Sequence, residues 1–498
     1  MNGIQHSQAP GVLVIVGALF AAMLLGLTGA VLGAEAQALL LFILIPAFVL
    51  MLNQPLGLLL FILIVPYNGS QVIPRMAQNV VFFGIAALFF ARLGLRMAAG
   101  KPLQLPFPRE ILLYVLLVTG AVAIGYTHIN EMTISFKIRS HIESYGFKEY
   151  VLGFYAKQMT LVVMAGIIAW LTVQNGGRSG WIIAGALASA VVFVFAMLAV
   201  LGSSGFSFDQ IRTSRNIFVQ LGRQSNNAGG LLFIMFACTL FMWEMARGGG
   251  KRFVLLCATL LQMMGIVLTA SRGAILAMLV VLLLYAVEFR RIRTVFAVFT
   301  LAAIAFAFAP DAVHDRMLQG FDTRYSIDVA VQGPGDEVTS GRFDIWRRLA
   351  PEILRSPIIG RGLFSTQWSD FARFGGYWAS HPHSLYLGIL MDAGIVGIVV
   401  MFLFYRFVWR TFRTLGKDPR LSPEIRGYFL GASAALIAYL VFGIPNGYWH
   451  PSPDQTFLWV AIGLGVGYSA YLAKQAPAPA VIRAVRRPAG RVPAYQRT

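Results

Sequence analysis

The chain has 498 residues, 57% apolar and only 12% charged, with a mean hydropathy of +0.70. That leaves too little polar surface to coat a soluble globule of this size, so the protein belongs in lipid. The formal net charge is +19, and the apolar runs are continuous, as in LLFIMFACTLFMW from Leu231 and GAILAMLVVLLLYAV from Gly273, which excludes a transmembrane barrel of alternating strands.

The expected fold is all-α: a polytopic transmembrane helical bundle of about fourteen spans with a long, partly helical outer loop. A bilayer core of about 30 Å takes about 20 apolar residues per helix. Spans are expected at 11–33, 36–52, 55–67, 79–97, 110–128, 157–174, 181–202, 228–246, 252–270, 273–289, 294–309, 384–409, 427–444 and 456–474. The N-terminal MNGIQHSQAP has no Lys or Arg and no convincing cleavage site follows, so residues 11–33 read as a retained span. Cys238 and Cys257 fall inside apolar runs and suggest neither a disulfide framework nor a zinc site.

Basic joints set the orientation. Arg96, Lys101 and Arg109, then Arg247, Lys251 and Arg252, then Arg290, Arg291 and Arg293, and finally Arg410, Arg413, Lys417, Arg420 and Arg426 fall on one side, which is therefore cytoplasmic. Residues 1–474 form the integral membrane domain. Within it, 310–383 make an outer loop with helix signals and many aromatics, expected to fold. Residues 475–498, rich in Pro, Ala and Arg, read as a disordered basic cytoplasmic tail held near anionic headgroups of the membrane lipids.

Arginines on the outer face run against the charge bias and ask for a reason. The loop itself is not basic, with eight Arg against nine Asp and Glu in 310–383, so a cationic site must come from placement. Arg272 sits in the tight turn SRG at the membrane boundary, either as a snorkelling anchor or as the ligand of an anion. TSGRFDIWRRL looks like a helix start capped by Thr339 or Ser340, with Arg342 in the first turn, where a cation opposes the helix dipole unless an anion binds there. Pro351 is expected to end or kink this helix. His381 and His383 lie in SHPHSLYL where the loop meets a span. Either is a structural hydrogen bonder or a proton acceptor for a sugar hydroxyl, kept neutral by nearby arginines. Trp368, Phe371, Phe374, Tyr377 and Trp378 either stack on sugar faces or pack the loop. Gln220, Arg223, Asn226 and Asn227 stand at another outer helix entrance, as sugar or phosphate ligands or as helix caps.

Taken in order, LTASRGA at 268–274, GRFDIW followed by PIIGRG at 357–362, and HSLYLGILMDAGIVGIVV from His383 resemble the O-antigen ligase and O-antigen polymerase superfamily over roughly residues 220–445. The family often has Asn after the histidine, where this chain has Ser384, and an acidic residue before Gly394 is common, here Asp392. The resemblance implies a glycosyltransferase of the polymerase or ligase type, independent of metal and cofactor, in the bacterial inner membrane. It would move a glycan from an undecaprenyl-diphosphate carrier to an acceptor hydroxyl of a glycan or lipid A-core on the periplasmic face, for lipopolysaccharide or exopolysaccharide assembly. By matching position His383 is then the catalytic residue. Arg272 and Arg342 bind diphosphate, and Arg223, Asn227, Arg361, Trp378 and His381 are candidate substrate contacts. No nucleic acid is expected as a partner. A polysaccharide flippase or other transporter is the alternative; it should carry polar residues near the middle of its spans.

Overall fold

The computed structural model describes residues 54–70, 75–100, 107–131, 148–203, 217–293, 342–370 and 381–475, together with residues 296 and 300. No strand occurs among the described residues. The helices are α1 (Gln54–Ile64), α2 (Arg75–Ala98), α3 (Arg109–Tyr126), α4 (Lys157–Gln174, entered through a π-helical turn Lys148–Ala156), α5 (Gly180–Ser203), α6 (Ser225–Met245), α7 (Gly249–Leu268), α8 (Arg272–Phe289), α9 (Arg342–Arg355), α10 (Leu385–Lys417), α11 (Pro423–Phe442) and α12 (Thr456–Gln475).

Ten helices among the described residues are long and apolar enough to cross a membrane, namely all but α1 and α9. A shorter apolar helix covers Pro55–Tyr67. Of the fourteen expected spans, 11–33 and 36–52 lie outside the described residues, as does nearly all of 294–309, and 55–67 is the short helix. The tail 476–498 and much of the outer loop also lie outside them. Two boundaries differ from expectation. Helix α10 continues to Lys417 rather than ending near residue 409, so Arg410 and Arg413 ride on its last turns. Helix α9 runs through Pro351 to Arg355. Proline removes one donor, and a helix held by a buried face, here Ile345 and Leu349, tolerates that loss.

Helix α6 is the centre of the bundle, with 83% of an 18-residue apolar stretch of it buried, against 78% for that of α12 and 72% for that of α11. Lipid gives helices no hydrophobic reason to associate, so close backbone approach must supply contact. Gly427 and Gly431 of α11, four apart, let it lie on the α6 backbone: a Cβ on either would stand 2.7 Å or less from the carbonyl of Phe241 or Ala237. Gly463 and Gly467 do the same for α12 against Ala165 and Ala169 of α4.

The basic joints gather at one end of the bundle. There Lys251 pairs with Glu424 at 3.2 Å, Arg291 with Glu244 at 3.0 Å and Arg413 with Glu288 at 2.6 Å. The opposite end carries α9 and the turns that join α7 to α8 and α11 to α12. Buried charged side chains among the described residues, Arg223, Glu352, Asp392 and Asp454, all belong to that opposite end.

Candidate functional site

Four helices begin around one side chain, Asn446, in the turn between α11 and α12. Its amide oxygen accepts from Asn226 Nδ2 at 3.1 Å and from Arg342 Nη2 at 3.4 Å, which brings the starts of α6 and α9 to it. Asn226 Oδ1 in turn accepts from Ser271 Oγ at 2.7 Å, and Ser271 caps α8 through the N–H of Ala274. A Cβ on Gly273 would stand 2.6 Å from Asn446 Nδ2, so only glycine lets α8 start this close. The carbonyl of Asn446 accepts from Leu385 N–H at 3.1 Å, which places the start of α10. Helix N-termini present unpaired N–H groups and the positive end of the macrodipole. Arg272 and Arg342 are each the first residue of their helix and each is half-buried. Two cations and four helix N-termini around one neutral amide are the kind of arrangement that can attract an anion.

The motif LTASRGA builds the α7–α8 corner. Thr269 Oγ1 accepts from Ser271 N–H, and Ala270 takes φ 48° to make the reversal. Leu268 ends α7 and Arg272 begins α8, so the guanidinium starts at the bundle's end with no loop to carry it away.

His383 stands one residue before the α10 cap, at φ 51°, in the left-handed region that side chains with a Cβ rarely adopt. Its N–H donates to His381 Nδ1 at 2.9 Å, and Trp346 Nε1 of α9 donates to the Pro382 carbonyl at 2.9 Å. These bonds fix the HPH corner from both sides. With Nδ1 accepting, His381 is the neutral tautomer, and its pKa is driven well below the usual imidazole range by burial, then by His383 and His450. Ser384 caps α10 through Leu387 N–H. Serine and asparagine are interchangeable as helix caps, so the departure from the family pattern keeps that role.

The motifs PIIGRG and MDAG interlock. Helix α10 breaks at Gly394, φ 63° and ψ −157°, and a break inside an apolar span leaves backbone groups that must find partners. The 357–362 loop supplies them: Arg361 and Gly362 N–H donate to the carbonyls of Met391 and Asp392, and Ile395 and Val396 N–H donate to those of Pro357 and Ile358. Asp392 is buried beside the break. Its Oδ1 accepts from the N–H and Oγ of Ser365, at 3.0 and 2.8 Å, and its Oδ2 from Trp449 Nε1 at 2.9 Å. One carboxylate thus ties α10 to the outer loop and to the α11–α12 turn.

Residues 253–402 match the family model described as O-antigen ligase. Over those residues, about a third of its length, the chain is similar to the O-antigen ligase family. No curated protein matches the chain. The O-antigen ligase match contains Arg272, Arg342, His383 and Asp392, whereas Asn226 and Asn446, which join them, lie outside it.

The structure separates the sequence candidates into two groups. Arg272, Arg342, His381 and His383 come together around the Asn446 turn, and Asn227 joins them by a hydrogen bond to Tyr448. Arg223 is buried, with Nη1 and Nη2 donating to the carbonyls of Asn68, Gly222 and Val65. Burial pushes its pKa down to about 10. Arg361 ion-pairs with buried Glu352 and lies over the Trp368 ring at 4.4 Å. The hydrogen bonds of these two arginines go to the protein's own carbonyls and to Glu352. Trp368 is buried and stacked on His128 at 3.8 Å, whereas Trp378 lies outside the described residues.

The 443–455 turn was not among the segments singled out by sequence. GIPNGYWHPSPDQ does carry a signal, since Asn, Tyr, Trp, His, Asp and Gln crowd between two spans on the same side as His383. The turn is held rigid: Tyr439 Oη and Gln455 Nε2 donate to the Tyr448 carbonyl at 2.8 and 2.7 Å, and Tyr114 Oη to that of Trp449 at 3.1 Å. Burial, then Asp454, pushes the Tyr448 phenol up to about 12. Beside it opens a cavity whose walls include Phe364, Thr366, His381, Ser384, Tyr448 and His450.

Proposed function

We propose that the protein transfers a glycan from an undecaprenyl-diphosphate carrier to an acceptor hydroxyl, on the periplasmic face of the bacterial inner membrane. One observation carries this reading: the starts of four helices, two of them headed by Arg272 and Arg342, meet at Asn446 with His383 at the edge. The acceptor oxygen attacks the anomeric carbon, the bond from that carbon to the phosphate oxygen breaks, and the diphosphate leaves with the electron pair. The arginines and helix N-termini stabilise its charge, and a diphosphate so held needs no general acid. His383 takes the acceptor proton or orients the hydroxyl, and the direct attack inverts the anomeric configuration.

A transporter fits less well, because the buried charged side chains gather near helix ends and connecting turns, and among the described residues only neutral Gln262 is a buried amide well inside a span. The test is the glycan content of a deletion strain complemented with Arg272→Lys or Arg342→Lys. Both variants keep the charge but lose the bidentate fork that a diphosphate engages, and both should fail to complement. Unpolymerised single units would mark a polymerase, and long chains stranded on the carrier a ligase. Full complementation by both variants would overturn the diphosphate clamp.

A further inference from the structure

His450 takes no part in the transfer step just described, yet it is among the most carefully placed side chains at this end of the molecule. Gln455 Nε2 donates to its carbonyl at 3.1 Å, and its ring packs edge-on to Phe364 at 5.3 Å and against Tyr448 at 5.3 Å. Its Nδ1 lies 3.0 Å from the Pro451 carbonyl, so Nδ1 carries the proton and Nε2 of the neutral ring keeps a bare lone pair. Nε2 makes no hydrogen bond among the described residues and is not one of the sealed polar atoms, so it is reached from the cavity that His450 lines. Burial pushes the pKa of the ring down to about 4, which keeps that lone pair available at neutral pH.

The wall of the cavity says what would suit it. Among the described residues no Lys or Arg lines it, and the one charged side chain there, Asp392, has both oxygens engaged by Ser365 and Trp449. An anion would find no counter-charge there. An apolar group would leave the imidazole lone pair and the Thr366 hydroxyl without a polar partner. A sugar satisfies both demands, with a hydroxyl donating to the nitrogen and C–H faces against Phe364, Tyr448 and Trp449. The enclosed part of the cavity has room for about one water-sized group, the size of a hydroxyl, and the rest opens outward.

We propose that this cavity is a subsite for an uncharged sugar, in which His450 Nε2 accepts a hydrogen bond from one sugar hydroxyl and so selects the unit held beside His383. The proposal rests on the glycosyl-transfer reading but uses none of the arginines. A site built around a hydroxyl donor discriminates strongly against ligands that cannot supply one.

The test uses the full-length protein in lipid nanodiscs, labelled with ¹⁵N-histidine and titrated with methyl glucoside, galactoside, mannoside and glucuronide. Seven histidines keep the spectrum tractable. At least one neutral glycoside should move an Nε2 resonance that is absent from His450→Phe, or from His450→Gln should the first variant not fold. Binding of that glycoside, read by saturation transfer, should weaken about tenfold in the same variant. The glucuronide should bind more weakly. Unmoved imidazole resonances, equal binding by the His450 variant, or equal binding of the glucuronide would overturn the proposal. Complementation by the arginine variants tests the transfer reading separately, so the two can fail independently.

Discussion

Arg342 and Asn446 are 104 positions apart in the chain and meet at 3.4 Å, guanidinium to amide oxygen. A neutral acceptor orients the arginine without cancelling its charge. A carboxylate at the same place would form an ion pair and compete with a phosphate for the same N–H groups. Asn446→Asp should therefore keep the fold but weaken binding of a diphosphate-carrying lipid by about tenfold or more, whereas Asn446→Ala should lose both orientation and about 1 to 3 kcal/mol of stability. Isothermal titration with a polyprenyl diphosphate, beside thermal unfolding, separates the two. Tighter binding by Asn446→Asp would contradict the role given to the neutral amide.

His381 and His383 differ in what they touch. His383→Ala should reduce transfer by about 10² to 10⁴, the usual worth of a general base, with protein level unchanged. His381 accepts the His383 N–H and thereby supports its left-handed backbone, so His381→Ala should be milder. His381→Asn, which offers an acceptor oxygen near the same place, should recover part of the loss. Rates of purified protein on a lipid-linked donor decide this, and a dead His381→Ala beside an active His383→Ala would reverse the assignment.

The break in α10 makes a prediction about stability. A Cβ on Gly360 would stand 2.2 Å from the N of Ala393, and one on Gly394 2.4 Å from the Ile358 carbonyl. Both glycines also have positive φ, at 70° and 63°. Gly360→Ala and Gly394→Ala should each cost about 1 to 2 kcal/mol from backbone strain alone, and more from the collision. Unfolding temperature in detergent measures it, and an unchanged value in both would show that the interlock is not tight.

Acidification should loosen the same end of the molecule. The folded-state pKa of His450 lies near 4 because of burial, against 6.5 for an ordinary imidazole, and His381 is shifted in the same direction. Between those values the unfolded segment binds protons that the folded one does not, so stability is full above about 6.5 and falls as the pH drops toward about 4. Protection factors across residues 447–451, corrected for the intrinsic pH dependence of amide exchange, should fall in that window, and the fall should be smaller in His450→Gln. Protection that rises on acidification would show that these rings are charged in the fold.

Legibility in the sequence followed the range of the interactions. Continuous apolar runs and basic joints are local signals, and they were enough for the all-α class, for most span positions and for the grouping of the basic joints at one end. Arg272 before a span, Arg342 at a helix start and His383 at a span entrance were legible because each is a departure from local expectation: a cation on the disfavoured side, a charge against a dipole, an imidazole at a boundary. Their assembly was not legible. Asn446 and Asn226 look like ordinary turn and cap residues, and 220 positions separate them. Only the crossing of α6 with α11, set by backbone contact at Gly427 and Gly431, brings them together. The same limit hid the roles of Arg223 and Arg361, since an arginine in an outer turn reads alike whether it meets a substrate or the carbonyls of a distant loop. The sequence was enough to find the ten described helices that are long and apolar enough to cross a membrane, because hydrophobic transfer is a property of each segment alone. Tertiary structure decided which helix ends meet, because that depends on side chains far apart in the chain finding one another's hydrogen-bonding groups.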